Sequence, residues 1–373
     1  MYLGRLELTD FRSYTDAVFE PAPAGITVVT GANGAGKTNL IEAVAYLATL
    51  KSLRGAPGAS LIRAGAEGAV LRSQVQSQAR RITIDATLNP AGRDRVQVNG
   101  QALRRTRDLL GFLQVTVFAP DDLTLVKGSP GARRDYLDDL MVARQPRRDA
   151  LLTELDRVLK QRNALLKSAF SSGWRPGRAV PADIVTTLDV WDSKLTSVGE
   201  ELVAARTALV ADLQPVVAVA YRDLATGSAP DPRLAASMSY QVSWTGSLAE
   251  ALAAAREDDL RRGVTTVGPQ RDELLLEIGG LPARTHASQG EQRTLALALR
   301  LAGHRLVAAD IGSSPVLLLD DVFSELDPAR AEALMANLPA LADTQAILTT
   351  AGALPPLPAA ATRVRVEDGK LLA

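Results

Sequence analysis

The chain has 373 residues, 46% of them hydrophobic and 23% charged, which suits a well-cored globular protein of one large domain or two to three ordinary ones. Forty-two basic and 42 acidic residues cancel to a formal net charge of +0, so a polyanion partner must be met by a local patch. With no cysteine and only 2 histidines, a disulfide framework, thiolate zinc, a cysteine nucleophile and a histidine-rich metal centre are excluded.

Tyr2 to Thr9, where Leu6 and Leu8 alternate with Arg5 and Glu7, reads as a strand at a sheet edge. Pro21 to Gly25 is a turn, and Ile26-Thr27-Val28-Val29-Thr30 is a β-branched run of the kind buried on both faces. A glycine-rich loop and an apolar helix over Asn39 to Leu50 follow, the opening of an α/β unit. From Arg81 to Leu103 the period becomes two, and Asn99-Gly100 marks a tight hairpin. The middle reads as helical. Leu188, Trp191, Leu195, Val198, Leu202, Ala205 and Leu209 step by three and four, a coiled-coil-like seam, and Ser247-Leu248-Ala249-Glu250 has capping-box form. Ser171 to Pro181 is expected to reverse the chain. The last third returns to α/β, with an apolar helix after Gln289 and short strands at Val316 to Leu319, Ala346 to Thr350 and Val364 to Val366. The expected domains are a sheet domain from 1–130 and 263–373, with a helical lobe, 131–262, packed on it as a bundle. No stretch approaches about 18 uninterrupted apolar residues, and Met1 to Asp10 lacks a charged-then-apolar signal pattern. A cytoplasmic protein without a membrane segment is expected.

Gly31-Ala32-Asn33-Gly34-Ala35-Gly36-Lys37-Thr38 fits G-x-x-x-x-G-K-T at every fixed position, with a strand before it and a helix after it. Such a loop wraps backbone N–H groups around phosphates, its lysine reaches the β- and γ-phosphates, and its threonine hydroxyl sits on Mg²⁺. Val316 to Leu319 ends in Asp320-Asp321. At the carboxyl end of a parallel strand, Asp320 can hold Mg²⁺ opposite Thr38, and Asp321 can orient the attacking water. Ser288-Gln289-Gly290 opens a helix whose N-terminus is a second anion-seeking site. The economical reading is that it meets the γ-phosphate held by a second copy of the chain. His286 and His304 have no metal partner in sequence and read as structural.

The phosphate loop, Ser288-Gln289-Gly290-Glu291-Gln292, the leucine-rich strand with Asp320-Asp321, and Ser324-Glu325-Leu326-Asp327 together resemble the ATPase heads of the ABC class. Asn39 and the opening Asp10-Phe11-Arg12-Ser13-Tyr14 resemble its SMC, Rad50 and RecF branch. Further segments extend the likeness over nearly the whole chain to the RecF family of bacterial recombination mediators: Lys51-Ser52-Leu53-Arg54, Lys127-Gly128-Ser129-Pro130 with Arg133-Arg134, Lys160-Gln161-Arg162-Asn163, and Gly268-Pro269-Gln270-Arg271-Asp272. The resemblance implies an α/β fold, an ABC-type head whose mixed sheet carries an antiparallel subsheet, with an inserted helical lobe. It implies ATP and Mg²⁺ as cofactors, Arg12 as a phosphate contact, and RecR, acting with RecO, as partners. It also implies a weak, DNA-stimulated ATPase whose ATP-driven homodimer clamps DNA. Asp321 where relatives carry Glu, Gln270 in place of a histidine, and Thr349-Thr350 without a switch histidine all suit slow hydrolysis. Gln114 and Gln74 are equal candidates for a glutamine switch loop.

With neutral net charge, DNA contact rests on clusters, of which Lys51, Arg54, Arg63, Arg133 and Arg134 are the chosen candidates. Arginine-to-phosphate contacts give binding without sequence preference. Aromatics are 4% of the chain, too sparse for a base-stacking groove, which favours double-stranded DNA or a single-strand/double-strand junction. The alternative is the ATPase subunit of another ABC machine. A transporter subunit would need a shorter stretch between Lys37 and Ser288, and a full SMC protein far more heptad residues.

Overall fold

The computed structural model describes residues 1–77, 80–90, 92–171, 180–225, 235–338, 344–352 and 361–372. In chain order it begins with β1 (Tyr2–Phe11), β2 (Tyr14–Phe19), β3 (Gly25–Thr30), α1 (Lys37–Thr49), β4 (Ala69–Ser77), β5 (Arg80–Leu88), β6 (Arg95–Val98), β7 (Gln101–Ala102) and β8 (Val115–Phe118). Then come α2 (Leu123–Lys127), α3 (Pro130–Arg144), α4 (Asp149–Ser171), α5 (Ala182–Leu224), β9 (Ala236–Gln241), α6 (Leu248–Arg262), β10 (Glu273–Ile278), β11 (Leu281–Pro282) and α7 (Ala283–His286). It closes with α8 (Gln289–Ile311), β12 (Val316–Asp320), α9 (Pro328–Asn337), β13 (Gln345–Thr350), β14 (Thr362–Glu367) and β15 (Lys370–Leu372). The expected reversing loop at Ser171 to Pro181 lies mostly outside the described residues.

The chain divides into two compact units, one of Met1–Leu123, Val217–Pro232 and Ser288–Ala373, the other of Thr124–Val216 and Arg233–Ala287. The first holds two six-stranded sheets. One, β15-β14-β3-β13-β12-β8, is parallel except for β15; the other, β2-β1-β4-β5-β6-β7, is antiparallel. Helix α1 touches strands of both sheets. This explains why it is apolar nearly all round, with Leu40, Ile41, Val44 and Leu47 buried in a core shared with Leu6, Phe11, Leu71, Ile84, Leu318 and Ile347. Strand β12 is buried at every residue, as a central parallel strand must be. The hairpin β6–β7 turns through Asn99 (φ 50°) and Gly100 (φ 75°), the left-handed pair a type I′ turn needs.

The second unit is helical around a small antiparallel sheet, β11-β10-β9. Its core joins Leu166 and Ala169 of α4 to Ile184 and Leu188 of α5 and Leu260 of α6. Helix α5 is 43 residues long, about 65 Å at 1.5 Å per residue. It runs beyond the expected seam through Pro215 into the first unit. By length and composition α5 could cross a membrane, with mean hydropathy 1.5 over its most apolar stretch. A third of that stretch is buried in the protein, and so are the seam residues Leu188, Leu195, Leu202 and Leu209.

Three expectations are corrected. Strand β1 is not an edge, because Tyr14 to Phe19 folds back on it as β2. The middle is not wholly helical: Ala236 to Gln241, mixing small and polar side chains without a β-branched one, forms β9 against β10. That ladder, with α7, places residues 263–287 in the second unit rather than with the sheets.

Candidate nucleotide-binding site

The carboxyl ends of β3, β13 and β12 lie side by side, with Asp320 in register with Thr349, and Thr349 with Val29. The phosphate loop leaves β3 and becomes α1. Gly36, the N-cap of α1, has φ 115°, and a Cβ there would stand 2.7 Å from Ser13 Oγ and 3.2 Å from Tyr14 Oη. A Cβ on Gly31 would stand 2.4 Å from the Val366 carbonyl. Those contacts explain both glycines: the loop is pressed against backbone and braced from behind. Tyr14 Oη donates to the Gly36 carbonyl at 2.9 Å, and Asn39 Nδ2 donates to Ser13 Oγ at 2.9 Å. The Asp10-to-Tyr14 opening is thus a brace for the phosphate loop, with Asp10 and Arg12 both in the left-handed region at φ 52°.

Lys37 is buried, and its Nζ donates to the carbonyls of Gly31 and Ala32, each at 2.9 Å. Thr38 Oγ1 donates to Asp320 Oδ1 at 3.0 Å, and Thr349 Oγ1 to the same oxygen at 2.8 Å. Burial pushes the Asp320 carboxyl above its ordinary range. The hydrogen bonds from Thr349 and Thr38 and the positive charge of Arg54 pull it back, and the neighbouring Asp321 raises it. Asp321 itself has φ 50° and a buried Oδ1 with no hydrogen-bond partner in the protein. The Thr38 hydroxyl and the Asp320 carboxylate are hard ligands of the kind Mg²⁺ takes, normally completed by phosphate oxygens and water, and the orphaned Asp321 oxygen can accept from a water. Among the described residues there is no cluster of three acidic or histidine side chains that could hold a metal ion.

Ser288 caps α8 with a full capping box: Ser288 Oγ accepts the Glu291 N–H at 3.3 Å, and the Ser288 N–H donates to Glu291 Oε2 at 2.7 Å. Ser288 and Gln289 are exposed. The Arg330 guanidinium lies over Gly290, its Nε donating to Thr294 Oγ1 at 3.0 Å, and pairs with Asp327, the N-cap of α9. The signature turn and the Ser324-to-Asp327 segment are thereby joined.

Other candidates stand differently. Arg12 is committed to the fully buried Glu42, Nε to Oε2 at 2.8 Å and Nη2 to Oε1 at 3.1 Å, while Nη1 donates to the Ser60 carbonyl at 2.8 Å. Ser52 Oγ donates to Glu42 Oε1 at 2.6 Å. In this arrangement Arg12 is a structural clasp, and Glu42, whose role the sequence does not disclose, is its hub. Gln114 precedes β8 beside Val316, the start of β12 and so the end away from Asp320; Gln74 lies within the antiparallel sheet. Neither stands at the phosphate end of the parallel strands. His304 is buried against Thr116, Nδ1 to Oγ1 3.0 Å, and burial pushes its pKa down to about 4.

Of the basic candidates, Lys51 and Arg54 are exposed, and Arg63 pairs with Asp10 at 2.7 Å. Arg134 donates to the Asp272 carbonyl at 2.7 Å. Arg133 is corrected: it is buried, gripping both oxygens of Glu273 at 2.7 and 2.8 Å and donating to the Leu125 and Gly128 carbonyls. It holds the second unit together. The Arg162-Asn163 and Gly268-to-Asp272 segments do likewise. Arg162, fully buried, pairs with Asp192 and Asp259, and Asp272 accepts from Tyr240 Oη and the Ser243 N–H.

A phosphate loop, an acidic strand end and a capped signature helix on one mixed sheet define an ABC-type ATPase head. A family model described as the RecF/RecN/SMC N-terminal domain matches residues 2–355. The DNA replication and repair protein RecF of Streptomyces avermitilis is 46% identical over 381 residues, covering 99% of each chain. That of Kineococcus radiotolerans is 44% identical over 394 residues, covering 99% of this chain and 98% of the other. The solved structure of the recombination mediator protein RecF-ATP in the RecFOR pathway has TM-score 0.86 and 26% identity, covering 100% of this chain and 98% of that one. An Smc head domain of Pyrococcus furiosus shares the fold at TM-score 0.57 and 17% identity, over 100% and 96% of the two chains. The chain belongs to the RecF family.

Proposed function

We propose that the chain is an ATP-dependent DNA-binding protein of recombinational repair, working as a weak, DNA-stimulated ATPase. The observation that carries this is the hydrogen bond from Thr38 to Asp320, joining the phosphate loop to the acidic strand end, in a chain nearly half identical to RecF proteins along its whole length. Gly31 to Thr38 would wrap the triphosphate, with Lys37 turning from its loop carbonyls to the phosphates. Thr38 and Asp320 would hold Mg²⁺, which supplies charge neutralisation at the transferred phosphate. Asp321 would orient the attacking water. Its shorter arm than the glutamate of many relatives suits slow turnover.

The exposed, capped turn Ser288-Gln289-Gly290 supports a site shared between two copies in head-to-tail pairing. ATP would close the pair on duplex DNA or on a single-strand/double-strand junction, and hydrolysis would open it. Lys51, Arg54, Arg63 and Arg134 remain the candidate phosphate contacts. Of these, Lys51 and Arg54 are exposed. RecR, with RecO, is the proposed partner in recombinase loading, from the RecFOR pathway of the solved relatives. Size analysis by light scattering with ATP, ADP or no nucleotide, with and without duplex DNA, tests the reading. Dimers are expected with ATP alone and persisting on DNA; a mass indifferent to nucleotide would refute the clamp.

A further inference from the structure

The geometry points to Thr349 as the positioning residue that sets both acidic side chains of the nucleotide site, an inference resting on the roles proposed for Asp320 and Asp321. Thr349 is fully buried in β13, directly across from Asp320 in the parallel ladder. Its hydroxyl donates to Asp320 Oδ1 at 2.8 Å and accepts the Asp321 N–H at 3.0 Å, and its carbonyl accepts the same N–H at 3.2 Å. A hydroxyl has one proton to give, and here it goes to the metal-side carboxylate.

Two consequences follow. Asp320 Oδ1 accepts hydrogen bonds from Thr349 and Thr38, so the side chain is held through one oxygen and Oδ2 is the oxygen left for a metal or its water. Asp321 is held with φ 50°, a strained conformation for a non-glycine residue, and the paired acceptors on Thr349 hold its N–H there. One hydroxyl therefore fixes the spacing between the acid that holds the cation and the acid that faces the attacking water. A valine would fill the same volume in a buried strand equally well, so packing does not explain the hydroxyl. The neighbouring Thr350 supplies a contrast: its hydroxyl accepts the Gly352 N–H at 3.1 Å and donates to the Gly352 carbonyl at 3.3 Å, closing the strand end without touching either acid.

The test compares full-length Thr349→Val, Thr349→Ser and Thr350→Val with the unaltered protein. ATP affinity is measured in EDTA and in Mg²⁺, Mn²⁺ binding is followed by electron paramagnetic resonance, and kcat and KM are determined. Thr349→Val is expected to bind metal-free ATP within about twofold of normal. It should lose about tenfold or more both in the affinity gain that Mg²⁺ confers and in kcat, as expected when a partner of a metal ligand is removed, with a smaller change in KM. Thr349→Ser should recover both to within about threefold, and Thr350→Val should match the unaltered protein. A normal Mg²⁺ gain and kcat in Thr349→Val would overturn the inference, as would an equal loss in Thr350→Val. If Thr349→Val does not fold, Thr349→Ala carries the same expectations. An unaltered protein whose ATP affinity ignores Mg²⁺ would refute the reading of Asp320 itself.

Discussion

Arg12 grips both oxygens of Glu42, at 2.8 and 3.1 Å, and Glu42 is fully buried on α1 one turn beyond Thr38. Ser52 adds a third donor, so the carboxylate collects the Asp10-to-Tyr14 brace and the Lys51-to-Arg54 segment at one point. Removing one partner of a buried pair strands the other charge, at a cost of about 3–5 kcal/mol. Arg12→Ala is expected to lower unfolding free energy by about that much in denaturant titration, while ATP affinity of the folded protein falls less than about threefold. A tenfold loss of ATP affinity at unchanged stability would instead make Arg12 a phosphate contact.

Arg54 and Arg133 were equal candidates by sequence, and the structure separates them. Arg54 is exposed, whereas Arg133 is buried with four donor contacts. Arg54→Ala should leave stability within about 0.5 kcal/mol and flatten the salt dependence of duplex binding by about one phosphate contact. Arg133→Ala should lower stability by about 3 kcal/mol or more and leave the salt slope of the folded fraction unchanged. Fluorescence anisotropy across salt concentrations, beside thermal melts, reads both; an Arg133→Ala slope reduced by one would return that residue to the DNA face.

His304 makes stability depend on pH. Its pKa falls from the ordinary 6.5 to about 4 because it is buried, so the unfolded chain binds a proton between those values that the folded chain refuses. The stabilisation is present above about pH 6.5 and drains away as pH falls toward 4. Between pH 7 and 5 the loss amounts to about 2 kcal/mol. His304→Gln should therefore show a shallower fall in unfolding free energy over that interval. Parallel curves for the two proteins would mean that His304 is not held neutral.

The sequence disclosed the features whose partners are near in the chain. The phosphate loop is eight contiguous residues, the Asn99-Gly100 turn and the Ser288 and Ser247 caps close within three or four, and Asp320-Asp321 simply ends an apolar strand. What stayed hidden depends on distant partners. Glu42 looks like one polar residue in an apolar helix until Arg12, 30 positions away, closes on it. Arg133 looks like surface charge until Glu273, 140 positions away, arrives. No periodicity links such pairs. Strand β9 was hidden for a local reason: ASMSYQ alternates apolar with polar residues but has no β-branched one and only Met238 and Tyr240 as large apolar side chains, and it pairs with β10 along its whole length.

The shared active site is the most exposed part of the functional reading. Ser288 Oγ is occupied only by its own cap, and the side chain faces solvent at the start of a 23-residue helix, so Ser288→Arg should fold normally. It should still bind ATP, because Lys37 and Thr38 are intact in the same chain, but the closed dimer should not form. Lys37→Met loses a charge-assisted phosphate contact and should neither hydrolyse ATP nor dimerise with it. Mixing the two inactive proteins then asks whether each can supply what the other lacks. In a mixed dimer one site carries both defects, and the other pairs an intact Lys37 with an intact Ser288. With random pairing half the dimers are mixed and half their sites are sound, so roughly a quarter of normal hydrolysis should return. Coupling between sites can only lower that fraction, so recovered activity is the informative result of the mixture, and Ser288→Arg alone supplies the converse. If it dimerises with ATP and hydrolyses at the normal rate, the site is complete within one chain and the shared mechanism fails.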